Sequence, residues 1–152
     1  MEIFNFSTVT TGFLIKLSVA LLLGATIGFE RVFAHKTAGP RTHALVSMGS
    51  ALFVIISELV NASHQNSGAD PLRVASQIIV GVGFIGAGLI IFKDSHLQGI
   101  TTASGLWVAA GIGVAVGFGF YNLAVIATIL TLMVFTVLWY VEARIKRFSN
   151  NP

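Results

Sequence analysis

The sequence predicts an all-α membrane protein in which five transmembrane helices pack through glycine and other small residues. Only 10% of the 152 residues are charged and 55% are hydrophobic, whereas soluble domains carry about 25% charged residues. The apolar residues fall into five runs, each close to the roughly 20 residues that cross a bilayer. Most of the sixteen glycines lie inside these runs, where they allow helix backbones to approach closely. A single transmembrane domain over residues 1–152 is expected.

The five predicted spans cover residues 9–29, 43–59, 72–92, 101–118 and 123–141. The first span is expected to be retained, because Glu2 precedes it and no Lys or Arg does, whereas a secretory signal begins with positive charge. Asp70 and the proline after it form a helix-start signal, with Asp as N-cap and Pro at the first helical position. Gly119 and Asn122 mark the short turn before the last span.

The basic residues predict the orientation. With five spans, most of the Lys and Arg residues lie on one side, in the first and third loops and after the last span. They are Arg31, Lys36, Arg41, Lys93, Arg144, Lys146 and Arg147. The excess of positive charge on cytoplasmic loops then places the N-terminus outside and the C-terminus in the cytoplasm. Lys16, inside the first span, is expected to extend its side chain outward to the interface.

Small residues recur at helical spacing and indicate which helices pack closely. The positions are Gly24 and Gly28 in the first span, Gly81, Gly83, Gly86 and Gly88 in the third, and Gly105, Ala109, Gly113 and Gly117 in the fourth. The fifth span is bulky. We therefore expect the first, third and fourth spans to form the centre and the fifth to face lipid. Because these smooth faces outnumber the contacts available within one chain, a homo-oligomer is also expected.

Polar residues at the span ends are the candidate functional cluster. They are Glu30, Arg31, Arg41, Thr42, Glu58, Asp70, Arg73 and Thr101. Around the first loop, the residues either anchor the chain to anionic headgroups or form an ionic cluster in which Arg31 and Arg41 hold Glu30. Arg73 begins the third span on the outer side, and a charge near lipid needs a partner. Glu58 is the expected partner and Asp70 the alternative. Thr101 and Thr102 are expected to cap the fourth span.

Several functional classes lack support in the sequence. All acidic residues lie at span ends or in loops, so the single chain is a poor candidate for a pathway of Mg²⁺, which prefers carboxylate oxygens. The histidines do not have metal-site spacing, and we expect no metal, no cofactor and no enzymatic activity. The motif Gly81-Val-Gly-Phe-Ile-Gly86 has dinucleotide-binding spacing but lies within a predicted membrane helix, so helix packing explains it better. Basic residues at helix ends also argue against nucleic-acid binding.

Five stretches together carry a family resemblance. The segments LGATIGFER (23–31), AGPRTHALV (38–46), RVASQ (73–77), GVGFIGAG (81–88) and GITTA (99–103) resemble the MgtC/SapB family of bacterial inner-membrane proteins. The resemblance extends from about residue 15 to residue 140. It implies five transmembrane helices in the bacterial inner (plasma) membrane. It also implies a role in adaptation to magnesium limitation and acid, as a regulator more than a carrier, with the F-type ATP synthase as a suggested partner complex. The matching positions are Glu30, Arg31, Arg41, Thr42, Arg73 and the run 81–88.

Two departures from virulence-type members shape the functional expectation. Those members have a soluble C-terminal domain, and the present sequence resembles a short form without one. They also carry Asn and Cys where this sequence has Thr101 and Val108. A housekeeping or stress role is therefore expected. The leading hypothesis is a non-enzymatic regulator that acts through another membrane complex. The alternative is an oligomeric channel or transporter for an ion or small solute.

Overall fold

A computed structural model describes residues 2–63, 70–93 and 95–149. Its elements are α1 (Glu2–Phe33), α2 (Pro40–Ser63), α3 (Pro71–Leu89), β1 (Ile91–Lys93), β2 (His96–Gln98), α4 (Ile100–Gly117), α5 (Tyr121–Met133), a π-helical turn (Val134–Leu138) and α6 (Trp139–Ser149). α5, the π-helical turn and α6 follow one another directly. Five helical segments are long and apolar enough to cross a membrane: Val9–Phe33, Pro40–Ser63, Leu72–Leu89, Ile100–Gly117 and Tyr121–Ile145. The predicted all-α fold with five spans is confirmed.

The third span is shorter than predicted because the chain leaves the helical conformation at Ile90, with φ −90° and ψ 111°. β1 and β2 then form a short antiparallel hairpin in which Lys93 pairs with His96. At the other end of α3, Asp70 is the N-cap as predicted, and its carboxylate accepts a hydrogen bond of 2.9 Å from the Leu72 N–H.

The start of α4 differs from the prediction. Its N-cap is Gly99, in the left-handed conformation with φ +91°, and no side chain caps the helix. A Cβ atom at Gly99 would collide with the Leu89 carbonyl, so only glycine fits this turn. The expectation that Thr101 and Thr102 cap the fourth span was wrong, because both residues already lie inside the first helical turn.

The centre of the bundle consists of α1, α2 and α4. The buried apolar cluster combines residues of these three helices with Ala124 of α5 and Phe135 of the π-helical turn. The members from the three helices are Ala20, Ile27, Ala51, Ile112 and Val116. The expectation that the third span belongs to the centre was wrong. α3 touches its neighbours through a narrow seam that contains Ala75, Val82 and Gly86. α5 lies at the periphery and exposes large side chains such as Leu130 and Met133.

α2 takes the central place because its small side chains and backbone lie against the glycines of α1 and α4. A Cβ atom at Gly24 would lie 2.8 Å from the Ser47 Cβ. One at Gly113 would collide with the Ser47 carbonyl, and one at Gly117 would lie 2.7 Å from the Val54 Cβ. A Cβ atom at Gly28 would likewise collide with the backbone of Pro40. These glycines therefore allow α1 and α4 to pack closely against α2 within a single chain.

The glycines of α3 behave differently. Within the described residues, nothing lies within 4 Å of a Cβ atom added at Gly81, Gly83 or Gly88. Only Gly86 has a neighbour, the Ala103 Cβ, at 3.6 Å. Three of the four glycines thus leave a thin, uncovered helix surface.

Candidate functional site

The first-loop end of the bundle contains a buried ionic and aromatic cluster. Arg31 is only 2% exposed, near the end of α1. Its guanidinium pairs with the Glu30 carboxylate and lies 3.5 Å from the centre of the Phe135 ring. Arg31 thus makes a charge-assisted hydrogen bond on one side and a cation–π contact on the other. The Glu30–Arg31 pair, one part of the ionic-cluster alternative, is present.

The same expectation was wrong for Arg41. This side chain is exposed in the first turn of α2, and the structure records no ion pair for it with any described residue. Thr42 is half-buried next to it. The acidic partner Glu30 is already occupied by Arg31, which adjoins it in sequence and lies on the same helix.

His43 also belongs to this cluster. The sequence places it beside the first loop, but the sequence analysis did not include it among the candidate functional residues. It is fully buried, and its Nδ1 donates a hydrogen bond of 3.0 Å to the Gly39 carbonyl. In the described part of the chain, neither its Nε2 nor the Ser47 hydroxyl has a hydrogen-bond partner. A Cβ atom at Gly105 would lie 3.5 Å from His43 Nε2 and 2.7 Å from the Phe135 ring. Gly105 therefore leaves room for the Phe135 ring beside the imidazole of His43.

The π-helical turn positions Phe135. A single turn of π-helix within an α-helix is rare and often marks a functional site. Phe135 is 7% exposed, although its neighbours Val134 and Val137 are about half exposed. The sequence reasoning expected Phe135 to face lipid with the rest of the fifth span. That expectation was wrong, and no sequence pattern indicates the change in helical period.

A cavity of about 570 Å³ opens beside this cluster. Glu30 and Phe135 line it, together with Phe29, Phe33, Trp139 and Tyr140. The cavity is therefore mainly aromatic, with one carboxylate at its wall that Arg31 neutralises. It can accept an apolar or aromatic group at the membrane boundary.

A second polar cluster lies at the opposite end of the bundle. The Lys16 ammonium donates to the Glu58 carboxylate at 3.2 Å and to the Gly117 carbonyl at 2.6 Å. The Gly117 carbonyl belongs to the last turn of α4, where the helix dipole favours a cation. Lys16 therefore connects α1, α2 and α4 by reaching groups near the ends of α2 and α4, partners that the sequence analysis did not identify.

The predicted pairing of Arg73 with Glu58 or Asp70 was also wrong. Glu58 is bound by Lys16, and Asp70 caps α3. Arg73 is exposed and has no ion pair among the described residues. It lines, with Asp70 and Phe53, a cavity of about 340 Å³ between α2 and α3. The pairing failed because Lys16, from a helix far away in sequence, reaches Glu58.

Thr101 is exposed and lines a separate cavity at the start of α4. The described residues contain no group of three His, Cys, Asp or Glu side chains that could hold a metal ion. The candidate site is thus the first-loop cluster of Glu30, Arg31, His43 and Phe135, with the clamp of Lys16 and Glu58 at the other end.

Comparison with known proteins gives clear relatives. YhiD of Escherichia coli K12, described as a candidate magnesium transporter, is 42% identical over 131 residues, which are 84% of this chain and 61% of YhiD. Protein MgtC of Brucella abortus is 43% identical over 118 residues, which are 78% of this chain and 48% of that protein. Protein MgtC of Salmonella typhimurium is 40% identical over 135 residues, which are 89% and 56% of the two chains.

The chain thus spans about half to three fifths of the length of these curated relatives. No solved structure matches it. The sequence profile described as the MgtC family matches residues 17–144, a range that includes the first-loop cluster, Glu58 and all five spans in whole or large part, whereas Lys16 lies just before it. The chain is therefore a membrane protein that belongs to the MgtC family.

Proposed function

We propose that this protein is a non-enzymatic regulator of the bacterial inner membrane that acts through another membrane complex during magnesium limitation or acid stress. The observation that carries the proposal is the uncovered α3. Gly83 and Gly88 have open space around them, and large side chains such as Val80 and Phe84 are 68% and 86% exposed. A helix with exposed glycines offers the close backbone approach by which membrane helices associate.

The pairing of charged side chains within the chain supports the same proposal. Lys16 is held by Glu58 and the Gly117 carbonyl, and Arg31 is held by Glu30. These charges are neutralised within the chain, and the Lys16 contacts connect three of its helices. Names of the relatives connect the family with magnesium, and the basic loops favour an outside N-terminus and a cytoplasmic C-terminus.

Transport by an oligomer is the second candidate, because a groove between α2 and α3 contains a polar group. The groove has a volume of about 540 Å³ and is lined by apolar residues, two glycines, Ser50 and the exposed Gln77. An exposed amide within a membrane span marks either a helix contact or a pathway. In this alternative, a second copy of the chain completes a channel for an ion or small solute.

Two measurements separate the candidates. Proteoliposomes that contain only this protein are expected to show no Mg²⁺ or proton flux above empty liposomes. F-type ATP synthase, the complex suggested by the family resemblance, is expected to co-purify with the protein from native membranes and to lose ATP-driven proton pumping in its presence.

Matched variants test whether α3 is the surface that binds the partner complex. Gly83→Leu fills open space on α3 and should abolish co-purification without unfolding the chain. Gly111→Leu fills equally open space on α4 and should leave co-purification unchanged. Solute flux by the purified protein would favour the transporter, and equal behaviour of the two variants would exclude α3 as the contact surface.

A further inference from the structure

A cavity of about 450 Å³ lies between the α1–α2 loop, the β-hairpin and the start of α4. It is separate from the aromatic cavity beside Phe135. Its polar lining consists of His35, Lys36, Thr37, Gln98, Thr101 and Thr102. None of the described residues that line it is acidic, and Lys36 carries a positive charge. The cavity therefore favours an anion.

The first turn of α4 supplies backbone donors to this cavity. α4 is 18 residues long, and its N-cap Gly99 provides no side-chain acceptor. The first helical hydrogen bond recorded here runs from the Ala103 N–H to the Gly99 carbonyl at 2.9 Å. The N–H groups of Ile100, Thr101 and Thr102 therefore have no acceptor within the helix. Such N–H groups, aligned with the positive end of the helix dipole, are suited to bind anions.

Thr102 gives a second and independent indication of a ligand. The residue is only 2% exposed, yet it lines the cavity. Among the described residues, no hydrogen-bond partner is recorded for its hydroxyl group. A ligand oxygen at this position would accept its hydrogen bond.

We propose that this cavity binds a phosphate group, held by the Lys36 ammonium, the N–H groups at the start of α4 and the Thr102 hydroxyl. A tetrahedral phosphate has enough acceptor oxygens to engage donors from several directions. Ion binding here would connect the α1–α2 loop to α4 on the face that carries most basic residues. The phosphate belongs either to a lipid headgroup or to a free phosphate, since both present the same oxygens. This inference does not depend on the proposed regulatory function.

Binding of inorganic phosphate to the full chain tests whether the ligand is free phosphate. The protein is delipidated in a maltoside detergent, which contains no phosphate, and radiolabelled phosphate is measured by equilibrium dialysis. Saturable binding with one phosphate per chain is expected. Thr102→Val and Lys36→Gln should each weaken it roughly tenfold, the usual effect of losing a hydrogen bond to a charged group. Lys36→Gln alters an exposed loop and leaves the core intact, so it remains informative if Thr102→Val unfolds.

Two matched controls change residues that do not line the cavity. Thr136→Val removes a hydroxyl that bonds only to its own helix backbone, and Lys93→Gln removes an exposed lysine on the same membrane face. Both should bind phosphate like the wild type.

To test whether the ligand is a lipid headgroup, phosphatidylglycerol is added to the same preparation. The number of lipid molecules bound per chain is measured by native mass spectrometry. Retained lipid that depends on Thr102 and Lys36, without binding of inorganic phosphate, assigns the site to a headgroup. The proposal is overturned if neither probe binds, or if the cavity variants and the controls bind equally.

Discussion

Gly113 on α4 faces the backbone of α2, so even the smallest side chain at this position tests how the two helices pack. A Cβ atom at Gly113 would collide with the Ser47 carbonyl and lie 2.9 Å from the Ser47 Cα. Overpacking costs about 1–3 kcal/mol, and a backbone carbonyl cannot rotate away, so about 2–3 kcal/mol applies to Gly113→Ala. The higher helix propensity of alanine offsets about 1 kcal/mol of this cost. We expect the free energy of unfolding to fall by roughly 1–2 kcal/mol.

Thermal unfolding of the purified protein in mild detergent measures this loss, which corresponds to a Tm about 2–8 °C lower for a chain of this size. Gly111→Ala is the matched control, because nothing lies within 4 Å of its added Cβ atom. Its Tm should stay the same or rise slightly. Gly113→Leu should prevent folding, whereas Met133→Leu, at an exposed position, should have little effect. Equal Tm values for the two alanine variants would refute close packing of α4 on α2.

Three further predictions concern the polar contacts and the uncovered surface. Lys16→Met leaves Glu58 unpaired near lipid and should lower the free energy of unfolding by about 1–2 kcal/mol, which is less than the cost of a charge at the membrane centre. The double variant Lys16→Met with Glu58→Gln should recover most of this loss of stability. If it recovers none, the two residues do not form a stabilising pair. Phe135→Ala should cost about 3–5 kcal/mol, whereas Val137→Ala, half exposed, should cost under about 1 kcal/mol in thermal unfolding. The chain has no cysteine, so Gln77→Cys introduces a single thiol that should crosslink two copies in native membranes; a purely monomeric species by native mass spectrometry would contradict a homo-oligomer.

The candidate site was only partly predictable. Glu30 and Arg31 adjoin each other at the end of a span, so their local spacing already indicated an ion pair. The Lys16–Glu58 pair joins residues 42 positions apart, and the sequence pointed instead to Arg73, which is nearer in sequence. The sequence assigned His43 no role because it lies beside the first loop, and Phe135 resembles the other bulky residues of the last span. Their burial around Gly105 depends on the π-helical turn and on the space at that glycine.

By itself, the sequence determined that this is a five-span membrane protein, because hydropathy and helix length are local properties. It also determined where the chain turns, as at Asp70 and Gly119, since capping and left-handed conformations depend on single residues. Only the tertiary structure decided that α2, and not α3, packs at the centre. Glycines on α1, α3 and α4 all permit close approach, and which of them meet another backbone depends on the arrangement of all five helices.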